Sequence, residues 1–171
     1  AEKYIKRNPE TDLELDLDWE MAISFIQRCQ NRPESNSEDW ADSSKANHGG
    51  FIYFPGSSMA GEQKLPNGKI ALRSYGSMSY AGLLSFIYAK MEPSDPRVSA
   101  ARQWLVENYS IDENPGLGAQ GMFYYYHTMA KALTVLEEDI LVLPDGTKVA
   151  WREQLAKRLF DLQDSKGFWV N

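Results

Sequence analysis

Apolar residues recur at helical spacing in five stretches of the chain, and the stretches are of two kinds. Over 19–31, Ala22, Phe25, Ile26 and Cys29 draw one apolar stripe on an otherwise polar segment, the pattern of a helix with one face to water. The stretches 97–109 and 151–163 read the same way. Between them lie 74–91, rich in small residues (Gly76, Ala81, Gly82, Ala89), and 120–136, which carries Phe123-Tyr124-Tyr125-Tyr126-His127. Both are apolar nearly all round, and such a helix is packed on every side. The order amphipathic, buried, amphipathic, buried, amphipathic predicts an all-α fold in which enclosed inner helices alternate with half-wet outer ones. A solenoid or toroid of α-hairpins meets that demand.

The segments between the helices sharpen the boundaries. Residues 1–8 read as a frayed helix end stopped by Asn8-Pro9. Acid and Leu alternate over 12–18 with the period of a strand, but Asp18 is a good N-cap and acids suit a helix start, so the stretch reads as an acidic lead-in. Residues 32–72 hold Pro33, Gly49-Gly50, Pro55-Gly56, Gly61 and Pro66-Asn67-Gly68, which predicts a long loop with a short strand at 51–54. A loop of that length inside a compact domain is often functional. Pro144-Asp145-Gly146 predicts a tight turn.

Composition narrows the function classes. A net charge of −6 over 171 residues argues against nucleic acid, whose phosphates call for a basic face. No run of about 18 apolar residues is present to span a bilayer. One cysteine, Cys29, rules out an intrachain disulfide framework. The chain opens on Ala1 without a signal peptide, and removal of one leaves a secreted or periplasmic location open. Nine Tyr, seven Phe and five Trp predict that any cavity is lined by aromatic rings.

The final segment, Gln163-Asp164-Ser165-Lys166-Gly167-Phe168-Trp169, has the spacing Q-x-x-x-G-x-W. It resembles the repeat of squalene and oxidosqualene cyclases, in which Gln caps an outer helix, Gly permits a turn of positive φ and Trp stacks beneath the next hairpin. Weaker copies run from Gln30 to Gly49-Gly50-Phe51 and from Asn108 to Gly121-Met122-Phe123. Glu113-Asn114-Pro115-Gly116, followed by Phe123 to Thr128, is similar to a stretch of protein prenyltransferase β subunits. These resemblances imply a partial ring of an (α/α)6 barrel, one domain over 1–171 that forms part of a larger toroid. They also imply an extended apolar ligand of isoprenoid type held in a central cavity.

The same resemblance places His127 at a zinc ligand of the prenyltransferases and makes it the candidate catalytic residue. The other two ligand places hold Ser74 and Gly76, too few donors for a zinc site, so no metal and no cofactor is expected. The D-x-D-D acid of the cyclases does not occur, and Asp16-Leu17-Asp18 is its nearest approach. Ala60-Gly61-Glu62-Gln63 matches three letters of the thioester motif C-G-E-Q but lacks its thiol. Tyr75, Tyr80 and Tyr124 are candidate cavity rings. Arg73, just before an inner helix, is a candidate anion grip, and Asp112 and Glu113 are candidate rim residues. Each has a plainer alternative: His127 as a core histidine bonded to a tyrosine, the tyrosines as packing, Arg73 as a salt-bridge partner of Asp112 or Glu113. A non-catalytic binding or scaffold toroid is the competing function.

Overall fold

A computed structural model describes residues 18–170; the expectations for residues 1–8 and 12–17 lie outside them. Among the described residues there are five helices and two short β-hairpins. In chain order these are α1 (Trp19–Gln27), β1 (Glu62–Lys64), β2 (Ile70–Leu72), α2 (Gly76–Tyr88), α3 (Pro96–Glu107), α4 (Met122–Val135), β3 (Leu141–Val142), β4 (Lys148–Val149) and α5 (Trp151–Leu162). The regular structure is predominantly helical, and all five expected helices form, each a residue or more shorter than its apolar pattern.

The helix starts follow from capping chemistry. The Asp18 carboxylate accepts from the Met21 amide at 2.9 Å, and Asp95 does the same for Arg97 ahead of Pro96 at the first turn of α3. The start of α2 is satisfied from outside its own hairpin. The Asn114 carboxamide, wholly buried in the α3–α4 loop, accepts from the Ser77 amide at 3.0 Å, while the Gly76 amide donates to the Pro115 carbonyl at 2.8 Å.

Helices α2 and α4 pack on each other more extensively than any other pair. They run parallel: Gly76 and Tyr80 at the start of α2 meet Tyr125 near the start of α4, and Tyr88 at the end of α2 meets Lys131. Helix α3 returns antiparallel to α2, its first-turn Arg97 lying over the Phe86 ring. Helix α5 returns antiparallel to α4, since Arg152 donates to Thr134 and Arg158 to the Tyr126 hydroxyl. Both central helices end in the same cap. The residues at positive φ are Lys90 (57°) and Glu137 (56°), and the amides of 89, 90 and 91 bond to the carbonyls of 85, 87 and 86 just as those of 136, 137 and 138 bond to 132, 134 and 133. This is the Schellman pattern without its customary glycine.

One close approach fixes how the central helix sits. A Cβ on Gly82 would come within 2.4 Å of the Phe51 ring, so glycine lets the 51–52 segment lie flat against α2. Phe51 also stacks edge-on against Phe86 with centroids 5.4 Å apart. The core gathers Phe51, Ile52, Leu83, Trp104, Met129 and Trp151 among others, removing large apolar area from water.

The 32–72 segment is more ordered than a plain loop. Its anchor is a cluster of buried polar groups: Asn31 donates to the Leu72 carbonyl at 2.7 Å and to Ser74 Oγ at 2.9 Å, and accepts from the Asp42 amide at 2.9 Å. Asn47 accepts from the Ser74 amide at 3.0 Å and donates to the Asp42 carboxylate at 2.9 Å. Burial alone would raise the Asp42 pKa, but bonds from Ser44 and Asn47 outweigh it and hold the carboxyl below its ordinary value. Residues 51–54 form isolated bridges, Gln30 to Phe51 and Phe54 to Ser57, and not the expected strand. The strands of this segment are β1 and β2, paired antiparallel with Glu62 opposite Leu72.

The two hairpins share one turn. In Leu65-Pro66-Asn67-Gly68-Lys69 and Leu143-Pro144-Asp145-Gly146-Thr147, the Gly amide bonds back to Leu and the Leu amide bonds to the carbonyl of the fifth residue. Asn67 and Asp145 accept from the amides two residues on, at 3.0 and 2.9 Å. Gly68 and Gly146 have φ of 82° and 84°, the left-handed residue that closes a type I turn with a bulge.

Candidate functional site

The faces of α2 and α4 that no other element covers among the described residues form the candidate site. On α2 they are Met78, Ala81, Ser85 and Tyr88, and on α4 they are Tyr124, His127, Lys131 and Val135, all partly or well exposed. Both sets follow helical i, i+3, i+7 spacing, so each is a stripe along its helix. The Lys131 ammonium lies 5.6 Å from the Tyr88 ring centre, a cation–π contact that joins the stripes at one end. At the other end Tyr124, 52 % exposed, stands close enough to Tyr75 to raise its pKa. No carboxylate belongs to either stripe. Although the chain is acidic overall, this surface offers one ammonium, one imidazole, two phenol rings and aliphatic surface.

The expected site residues separate into three groups. Tyr124 and His127 lie together on the stripe, with Lys131 one turn beyond His127. His127 is exposed and its ring makes no hydrogen bond among the described residues, so it is free of the core tyrosine contact that was the plainer alternative. Tyr75 sits at the head of α2, 1 % exposed, with its hydroxyl unpartnered. Burial, followed by the neighbouring Tyr124, Tyr53 and Cys29, pushes its pKa up to about 12.

Tyr80 is closed into the core. It packs on Tyr125 with centroids 5.8 Å apart, and complete burial raises its pKa well above the ordinary value. The space it lines with Leu83, Leu105, Leu133 and the Arg102–Glu138 ion pair is about 10 Å³, room for one water at most. Tyr125 and Tyr126 are likewise buried, their hydroxyls donating to the carbonyls of Ser110 and Ile111 at 2.8 and 2.7 Å.

Arg73, Asp112 and Glu113 are not brought together. Arg73 is exposed after β2, its amide donating to Gly61 and its carbonyl accepting from Ser58. Asp112 faces Arg158 of α5 at 3.8 Å, and Glu113 is exposed in the same loop, its amide donating to Ser110 Oγ. Sequence reasoning passed over Tyr88, Met78 and Ser85. Their spacing with Ala81 was present in the sequence, but a helix apolar all round does not say which stripe stays open.

The Gln163–Trp169 segment takes a compact form. The Gln163 side chain donates to the Gly167 carbonyl at 3.1 Å and Trp169 Nε1 to the Leu159 carbonyl at 2.8 Å, with Gly167 at φ 84°. Gln therefore closes its own turn, and Trp satisfies a carbonyl left open at the end of α5. The counterpart Gln30 is wholly buried and reaches further, to the carbonyls of Gly49 and Arg97 at 3.0 and 2.9 Å.

Compared with family models, curated proteins and solved structures, the chain matches none. Among the described residues no three His, Cys, Asp or Glu side chains gather to hold a metal, and no helix is long and apolar enough to cross a membrane.

Proposed function

We propose that the chain is a squalene-cyclase/prenyltransferase-like segment of an α/α toroid whose inner helices are α2 and α4. Their uncovered stripe is then the wall of a cavity that takes an elongated apolar ligand of isoprenoid type. The observation that carries this reading is the acid-free stripe from Met78 to Tyr88 beside Tyr124 to Val135, lying on two parallel helices flanked by antiparallel ones. The repeated C-caps at Lys90 and Glu137 and the turn at Gln163–Trp169 support the repeat. Phenol faces would hold an alkene chain or a developing carbocation through their quadrupoles, with His127 as the nearby proton carrier.

A scaffold toroid that binds nothing is the second reading, and the packing of Tyr80, Tyr125 and Tyr126 into one another favours it. The full chain incubated with squalene and with farnesyl diphosphate, then extracted and examined by mass spectrometry, separates the two. Bound or converted isoprenoid that falls several-fold in the Tyr124→Ala variant is the expected result. Neither turnover nor bound lipid would leave the scaffold.

A further inference from the structure

Asn67-Gly68 is the one Asn-Gly step in the chain, and the structure sets Asn67 apart from the other asparagines among the described residues. Asn31, Asn36, Asn47 and Asn114 are buried. Their carboxamides donate to fixed partners, the Leu72, Gln30 and Gln120 carbonyls and the Asp42 carboxylate among them. Asn108 is half-buried and donates to the Trp104 carbonyl at 2.8 Å. Asn67 alone of these is exposed, at the tip of the β1–β2 hairpin, where residues 66–70 all face solvent.

The chemistry of the step follows from its neighbours. The carboxamide carbon of an asparagine is open to attack by the backbone nitrogen of the next residue, and glycine leaves that nitrogen unshielded because it has no Cβ. The Lys69 amide donates to Asn67 Oδ1 at 3.0 Å, polarising the carbonyl under attack. One contact holds the reaction back: the Gly68 amide donates to the Leu65 carbonyl at 2.9 Å. That bond lies in an exposed turn beside β1, a strand with no buried residue. Local opening there is far cheaper than unfolding the core.

We propose that Asn67 is a modification site, deamidating in the native chain ahead of every other asparagine among the described residues. The Gly68 nitrogen bonds to Asn67 Cγ, the carboxamide C–N bond breaks, and the leaving nitrogen departs as ammonia with the proton from Gly68. Water then opens the cyclic imide. Attack at Cγ gives aspartate, and attack at the Asn67 backbone carbonyl gives isoaspartate, with the chain running on through the side chain. Either product adds a negative charge at the hairpin tip. The twin turn shows that aspartate fits there: Asp145 takes the place of Asn67 and accepts from the Thr147 amide at 2.9 Å, and Gly146 has φ 84° against 82° for Gly68. Isoaspartate lengthens the backbone and breaks the register of the turn.

The test is to age the full chain at pH 8 and follow it by ion exchange and peptide mass spectrometry, with an isoaspartyl methyltransferase to count isoaspartate. Asn67 should convert at least about tenfold faster than Asn36 or Asn47, which burial and hydrogen bonds hold in place. Conversion should be several-fold faster again at pH 9, where more of the Gly68 nitrogen is deprotonated. The chain unfolded in guanidinium supplies the rate of the fully open turn, and there Asn36 should convert as well. Asn67→Gln, which would need a larger ring, should lose the early acidic species, and Asn67→Asp should elute with that species from the start. Asn67 left intact after the unfolded chain has fully converted, modification of Asn36 or Asn47 first, or an early acidic species that persists in Asn67→Gln would each overturn the proposal.

Discussion

The Lys131 ammonium rests over the ring of Tyr88 at 5.6 Å, so the two central helices touch across their uncovered faces as well as through their packed ones. Both residues are exposed, and a contact of this kind in water is worth about 0.5–1 kcal/mol. Lys131→Ala should therefore lower stability by no more than that in urea unfolding, while reducing capture of a farnesyl probe several-fold. A large loss of stability would place Lys131 in the fold and remove it from the site.

Gly82 should resist the usual benefit of alanine. In a helix interior Gly→Ala gains about 1 kcal/mol, but here the new methyl would meet the Phe51 ring at 2.4 Å. Overpacking of that kind costs about 1–3 kcal/mol, and the neighbouring Phe51 is itself held against Phe86. Gly82→Ala should lower the thermal midpoint; an increase would mean that Phe51 moves freely.

Glu137 offers the opposite case. It is exposed and at φ 56°, a conformation that costs a residue with a Cβ about 1 kcal/mol. Glu137→Gly should raise the stability measured by urea unfolding by up to about 1 kcal/mol after the entropy of the unfolded glycine is counted, and Glu137→Val should lower it. Equal effects of both would contradict the left-handed cap.

Asp42 links stability to pH. Its folded pKa lies below the ordinary carboxylate value because hydrogen bonds from Ser44 and Asn47 outweigh burial. The stabilisation is thus complete above the ordinary value near 4 and is lost as pH falls through the lower folded value. Asp42→Asn should cost about 1–3 kcal/mol at pH 7 and flatten the acid limb of a stability–pH curve, the two proteins converging at low pH. Parallel curves would remove Asp42 from the linkage.

Cys29 should be inert in the native state. Burial, opposed by Arg28, raises its thiol pKa to about 11, which leaves roughly one thiolate in a thousand at pH 8. Reaction with a disulfide reagent should be slow until the chain is unfolded in guanidinium; prompt native labelling would show that 29–52 opens readily.

The helical order was legible because an outer stripe such as Ala22-Phe25-Ile26-Cys29 has helical spacing, and because the two nearly all-apolar runs are too long for strands. The β1–β2 hairpin was not, since Glu62-Gln63-Lys64 is polar and exposed throughout and carries no alternation to read. Its Pro66-Asn67-Gly68 turn was the remaining sign. For the site, the sequence offered Tyr80 as a cavity ring alongside Tyr124 and His127, and the structure encloses Tyr80 in the core. Tyr80 and Met78 sit two residues apart on a helix without a polar face, and only the arrival of Tyr125 decides that one is enclosed and the other open. Arg73 and Asp112 depended on which loops meet, and the partner of Asp112 came from α5.

Photoaffinity labelling tests the central claim most directly. A farnesyl alcohol carrying a diazirine, photolysed with the full chain and followed by peptide mapping, should mark the peptides that hold Met78–Tyr88 and Tyr124–Val135, with loss of label in Tyr124→Ala. Label confined to α1 or α5, or none at all, would contradict a ligand-facing wall on α2 and α4.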